Sequence, residues 1–137
     1  MPGQPQKLLV DTGPLIALFV ARDKHHRRAV EFTKSCTATL FTTWPVVTEA
    51  CFMLNARGKA ALIAMIDSPA LHVEDLKAAD LGRLRELVEK YPRMDLADAS
   101  LIVLAEYLGV VDIVTIDRTE FEAIYRTKAG HSFVNYF

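Results

Sequence analysis

Four carboxylates in this chain of 137 residues stand where the local pattern would sooner place an apolar or small residue. Asp11 follows Leu8-Leu9-Val10, and Asp117 follows Ile113-Val114-Thr115-Ile116. Open parallel sheets bind ligands at the carboxyl ends of their strands, so both acids would face one crevice. Glu49 sits one turn into Pro45-Val46-Val47-Thr48-Glu49-Ala50-Cys51-Phe52, where a carboxylate on an apolar face is costly unless paired or metal-bound. Asp98 lies in Leu96-Ala97-Asp98-Ala99-Ser100-Leu101, with Asp95 three residues earlier on the same helical face. Blander uses exist: Asp11 and Asp117 suit helix N-caps, Asp95 suits a cap better than a ligand, and Asp98 suits the positive end of a helix. One such acid is weak evidence, but four are not. Two carboxylates about 4 Å apart repel by about 4 kcal/mol at an effective dielectric near 20, and a divalent cation relieves that repulsion. All-oxygen ligands without Cys or His favour Mg²⁺ or Mn²⁺ over zinc, and Mg²⁺ in such a crevice handles phosphate oxygens. The chemistry these residues point to is metal-dependent phosphodiester hydrolysis.

The elements that must position them alternate short strands with helical patterns. Lys7–Val10 is a buried strand, and Pro14 opens a helix through Val20. A charged helix over Lys24–Lys34 leads to a strand over Ala38–Thr42. Thr43 caps a helix with Pro45 in its first turn and Val46 to Asn55 as its body. Gly58 separates it from another helix over Ala60–Ile66, and Leu71–Glu74 is a third strand. Asp75 caps a long helix whose Leu81, Leu84, Leu87, Val88 and Tyr91 form one apolar stripe, ended by Pro92. Leu96–Leu108 is a further helix with Gly109 as its C-cap. Ile113–Ile116 is a fourth strand, Glu120–Tyr125 a short helix, and Ser132–Tyr136 an edge strand. Strands separated by helices imply right-handed crossovers and a parallel sheet covered on both faces, an α/β fold of the three-layer α/β/α sandwich type. No repeat or linker divides the chain, so residues 1–137 read as a single domain.

Composition narrows the classes. The charge is 16 − 17 = −1 and 51% of residues are hydrophobic, so the chain is neither disordered nor a basic nucleic-acid coat. A domain of this size buries roughly 68–70% of its unfolded surface and needs no disulfide framework. Cys36 and Cys51 form no C-x-x-C pair and read as idle thiols in a reducing compartment. No apolar run approaches the ~20 residues of a membrane span, and Met1 to Lys7 is polar and Pro/Gly-rich, unlike a secretory signal. A cytoplasmic protein is the expectation.

Four segments together resemble a known family. Leu9-Val10-Asp11-Thr12-Gly13-Pro14-Leu15-Ile16-Ala17-Leu18, Thr48-Glu49-Ala50, Leu96-Ala97-Asp98-Ala99-Ser100-Leu101 and Val114-Thr115-Ile116-Asp117-Arg118-Thr119-Glu120-Phe121 resemble the PIN domain, particularly the VapC toxins of toxin–antitoxin pairs. The resemblance spans nearly the whole chain and implies an Mg²⁺- or Mn²⁺-dependent endoribonuclease with Asp11, Glu49, Asp98 and Asp117 as its acidic quartet. It makes Asp95 a fifth candidate ligand, and it makes Thr12 and Thr115 residues that could hold a carboxylate or water. It further implies an RNA substrate, a small cognate antitoxin whose tail enters the active-site groove, and a homodimer. Ala129 to Phe137, with His131, match the family poorly.

Arg22, Lys24, Arg27 and Arg28 cluster with His25 and His26 beside Asp23 and Glu31, a solvated face or a phosphate-contacting one. Arg118, directly after Asp117, is the better candidate to meet a phosphate. Trp44 and Phe52 fit the core better than base stacking. Two rival readings use the same residues. Asp11-Thr12-Gly13 also matches the aspartic-protease signature, but those enzymes are β-rich and this chain reads as mostly helical. The other rival is a PIN-like module that binds RNA or protein without cutting. Setting the quartet aside leaves 16 − 13 = +3, so the near-neutral charge conceals an acidic pocket in a mildly basic shell.

Overall fold

The computed structural model describes residues 5–137. The amino-terminal reading of Met1 to Lys7 therefore falls largely outside the described residues. Five parallel strands form one sheet in the order β3-β2-β1-β4-β5, with β1 Lys7–Val10, β2 Thr39–Thr43, β3 Leu71–Glu74, β4 Asp112–Val114 and β5 Val134–Asn135. The chain steps outward from β1 to β3 and then returns to the other side of β1. Right-handed crossovers consequently place the helices before and after β3 on opposite faces, giving the α/β/α sandwich expected for a PIN-like fold. The reversal between β1 and β4 is the switch point at which such sheets open a crevice.

Among the described residues six α-helices cover the sheet: α1 Thr12–Phe19, α2 His26–Ser35, α3 Trp44–Phe52, α4 Ala56–Asp67, α5 Leu81–Lys90 and α6 Leu96–Leu108. α6 is buried along most of its length, at Ala97 and from Ala99 through Ala105, as an apolar helix enclosed by neighbours must be. Its Leu101 and Ile102 join Leu8, Leu9, Ile113 and Leu87 in the core. Gly109 ends it in the left-handed conformation, φ 67°, where glycine has no Cβ penalty.

Where boundaries differ from the sequence reading, side-chain capping decides them. α3 stops at Phe52, because Asn55 caps a new helix by accepting the Gly58 N–H at 2.8 Å. Gly58 thus lies inside α4 instead of separating two helices. Asp75 does not cap α5. Its Oδ1 accepts the Trp44 indole N–H at 2.8 Å, and α5 begins later, after a 3₁₀ turn at Ala78–Asp80. The α5 stripe is narrower than its periodicity suggests, with Leu84 and Leu87 buried but Leu81 and Val88 exposed. Thr119–Ile124 winds as a wide π-type turn, closed by Tyr125 N–H to Glu120 O at 2.7 Å. β4 pairs only as far as Val114.

Two contacts fix how the elements frame the crevice. Thr43, the N-cap of α3, shares a buried 2.6 Å hydrogen bond with Ser100 of α6, whose hydroxyl donates to Ala97 O at 2.7 Å. Thr43 is therefore the donor to Ser100, and the pair locks the start of α3 to the first turns of α6. At the other side Gly13 lies against Ile116, where a Cβ would come within 3.1 Å of the isoleucine Cδ1.

Candidate functional site

Asp11 leaves β1 and enters α1 at the switch point. Its main-chain N–H donates to Val114 O at 3.0 Å, which seats it beside the end of β4. Oδ1 accepts the Thr12 N–H at 2.7 Å, and Oδ2 accepts the Thr115 hydroxyl at 2.7 Å. Burial raises its pKa to about 6. The two hydrogen bonds oppose the rise, and the charges of Asp117 and Asp95 add to it. Thr115 also reaches the neighbouring acid. Its Oγ1 accepts the Asp117 N–H at 2.9 Å, so one hydroxyl fixes the Asp11 side chain and the Asp117 backbone.

Asp98 stands in the first turn of α6, half-buried. Burial, then the charges of Asp11 and Asp95, and to a lesser degree Asp117, raise its pKa to about 8, against a hydrogen bond from the Tyr125 hydroxyl to Oδ2 at 2.9 Å. Asp95 is the N-cap of α6, with Oδ1 accepting the Asp98 N–H at 2.8 Å. It is also the acid whose charge raises the pKa of Asp11, Asp98 and Glu49 alike. Capping and membership of the cluster are both true of Asp95.

Glu49 is placed differently from its sequence reading. The inward face of α3 is Val46, Val47 and Ala50, and Glu49 is exposed beside it. Partial burial and Asp95 still raise its pKa. Trp44 and Phe52 are not core: they are 46% and 88% exposed and, with Leu96 and Pro45, line an open hollow of about 700 Å³ that contains Glu49 and Asp95. Hydrophobic spacing marks an apolar face without revealing whether protein covers it. Asp117 is exposed, with its Oδ1 3.4 Å from the Glu120 N–H.

The basic candidates are mostly engaged. Arg27 pairs with Glu31 at 3.3 Å, and Arg118 with Glu122 at 3.7 Å. Arg28 lies over the Phe137 ring, 4.5 Å from its centroid, and donates to the Phe137 carbonyl. A second hollow of about 840 Å³ shares Phe52 with the first and is lined by Arg22, His26 and Arg57. Arg57 carries no local signal that would have singled it out.

Two residues in the last part of the chain join the site without any signal in the sequence. Tyr125 is 1% exposed and donates to Asp98. Asn135 continues the sheet with its side chain where the ladder stops: its amide donates to Thr115 O and its Oδ1 accepts the Thr115 N–H, both at 3.1 Å. His131 takes part through its main chain, closing a turn with Thr127.

Oxygen donors alone suit Mg²⁺ or Mn²⁺. Among the described residues, no group of three or more His, Cys, Asp or Glu is gathered as a ready-made metal shell. Mg²⁺ does not require one, because it keeps several waters and takes one or two carboxylates. The Thr12 hydroxyl, buried beside Asp11 with no hydrogen-bond partner among the described residues, and two carboxylates held above their usual range fit a hydrated cation. No helix among the described residues is long and apolar enough to cross a membrane.

Comparisons with known proteins agree with this architecture. The family model of the PIN domain matches residues 8–127. The Mycobacterium tuberculosis protein Ribonuclease VapC26 is 28% identical over 129 residues, covering 90% of this chain and 96% of that protein. A crystal structure of Mycobacterium tuberculosis VapC20, described as a sarcin-ricin loop cleaving toxin, superposes with a TM-score of 0.74 at 22% identity. It covers 81% of this chain and 90% of the other, a likeness of fold. With a family match running from β1 past the Tyr125 that closes on Asp98, the chain belongs to the PIN domain family.

Proposed function

We propose that the protein is a divalent-metal-dependent endoribonuclease and the toxin of a VapBC-type pair, built as one domain and working in the cytoplasm. The observation that carries the reading is that Asp11, buried at the carboxyl end of β1, and Asp98, in the first turn of α6, are both held above the ordinary carboxylate range, with Asp95 and Asp117 contributing charge to both. Similarity to a protein named a ribonuclease, over nearly the full length of both, supports the choice of RNA.

Asp11 and Asp98 would hold Mg²⁺ or Mn²⁺, with Asp117 and Glu49 completing the acidic quartet and Asp95 able to take part through water. Bound there, the cation supplies Lewis-acid activation of water and neutralises charge on the scissile phosphate. The chain's own residues do the rest. Thr115 orients Asp11 Oδ2 and the Asp117 backbone, and the Thr12 hydroxyl is free to meet a water. The upward shift of Asp98 favours its protonated form when no cation is bound, which limits self-repulsion among the acids. Arg22 and Arg57 line a hollow that adjoins the one holding Glu49 and Asp95, and they would meet an RNA backbone more readily than Arg27 or Arg28. An antitoxin tail would compete for the same acids.

Asp11→Asn and Asp98→Asn, which preserve size and remove the charge, are expected to lower RNA cleavage by roughly 100-fold or more while leaving the circular dichroism spectrum unchanged. Cleavage assayed with Mn²⁺ and with EDTA checks the metal requirement. Equal cutting in both would overturn it, and RNA binding without cutting under any metal would favour the binding module.

A further inference from the structure

Tyr125 is among the largest fully buried side chains, yet its hydroxyl ends on a candidate metal ligand. A buried phenol needs one acceptor, and a backbone carbonyl would serve. Here the acceptor is Asp98 Oδ2, a carboxylate 27 positions away in the sequence. The ring has little freedom to turn away. Phe121 and Tyr91 meet it edge-on, with centroids 5.1 and 5.2 Å distant. Its backbone is also clamped, because Arg126 donates to Tyr125 O at 2.8 Å and to Ala123 O at 3.1 Å. The Tyr91 hydroxyl meanwhile accepts the Arg126 N–H at 3.2 Å, and the Arg83–Glu106 ion pair anchors the next stretch through Lys128 N–H at 2.7 Å.

Asp98 is therefore gripped twice. Its backbone is tied to the Asp95 cap and its Oδ2 to Tyr125, which leaves Oδ1 as the oxygen not engaged by Tyr125. We propose that Tyr125 is a positioning residue of the metal site, holding the Asp98 carboxylate in the orientation that presents one oxygen to a divalent cation. The inference rests on the metal-nuclease reading above. It extends that reading to a residue outside the four acidic segments. Partners of this kind typically change metal affinity by about 10- to 100-fold when removed.

The test is Mn²⁺ binding to the full chain, followed by the electron paramagnetic resonance signal of free Mn²⁺, with no RNA present. Tyr125→Phe keeps the ring and its packing and removes only the donor. It is expected to weaken Mn²⁺ binding by roughly tenfold with a Tm within about 5 °C of wild type. Phe133→Leu trims a ring of the same aromatic group, packed on Phe121, and removes no hydrogen bond to Asp98 or to the Tyr125 segment; it is expected to bind Mn²⁺ within about twofold of wild type. Asp98→Asn should abolish the high-affinity binding. Wild-type affinity in Tyr125→Phe overturns the positioning role alone, as does an equal loss in Phe133→Leu, which would make the effect one of packing. A wild-type chain that binds no Mn²⁺ overturns the metal reading and this inference with it.

Discussion

Asp11 and Asp98 are raised by different mixtures of the same forces, and the mixture determines how each responds to pH. Asp11 is lifted by burial, and its two hydrogen bonds oppose the lift. Asp98 is lifted by burial and then by three neighbouring acids. Both folded-state values exceed the ordinary aspartate value of 3.8, so the folded chain holds protons that the unfolded chain has released. Metal-free stability must then fall as pH rises from about 4 through about 8, by of order 3 kcal/mol from Asp11 alone. Thermal unfolding in EDTA is expected to give a lower Tm at about pH 8.5 than at about pH 5. Asp98→Asn should flatten that slope, and Mn²⁺ should restore the Tm at the higher pH by binding the deprotonated cluster. At this scale the acids are legible in the sequence because each sits at a strand end or helix start with apolar neighbours. Tyr125 and Asn135 are not, because each reaches its partner only through tertiary structure, across 27 and 20 positions. Phe52 carries a local signal that points the wrong way: apolar spacing cannot tell an uncovered face from a core.

Among the elements, the helices are marked by caps and periodicity, and the strands by short apolar runs. The shifts in boundary come from side chains competing for backbone groups. Asn55 captures the Gly58 N–H and starts α4 early, while Trp44 occupies Asp75 and leaves the start of α5 to a 3₁₀ turn. The end of β4 follows the same rule in reverse, since Asn135 supplies by side chain the pairing that a longer β5 would have given Thr115. That contact lies behind the hydroxyl that holds both Asp11 and Asp117. Asn135→Ala is expected to lower Tm by about 3–8 °C and to weaken Mn²⁺ binding several-fold, read by differential scanning calorimetry and by the same Mn²⁺ titration. A loss of Tm without a loss of affinity would limit Asn135 to the sheet.

For the whole molecule, the sheet reversal between β1 and β4 gathers acids from both ends of the sequence at one edge, and the three-layer arrangement is readable from the alternation of elements alone. What the alternation cannot reveal is how the outer surface is used. Trp44, Phe52 and Leu96 form an exposed apolar border around Glu49 and Asp95, larger than scattered surface residues require. A homodimer formed through this border would set two acidic crevices beside one another. Sedimentation of the wild-type chain is expected to give a dimer and that of Phe52→Glu a monomer, because a charge at so exposed a site would destabilise an apolar interface without entering the core. Retention of the dimer would move the interface elsewhere.

Gly13 gives the site a dimension as well as a chemistry. Its hydrogen lies against Ile116, on the stretch joining Thr115 to Asp117, and a methyl in its place would press the isoleucine at 3.1 Å. The separation between the Asp11 corner and the Asp117 turn is thus gauged by an absent carbon, as a machinist sets a gap by leaving out a shim. A larger residue here would have to push Ile116 aside and Asp117 with it. The spacing of two acids thus depends on a residue with no side chain, one that neither binds nor titrates.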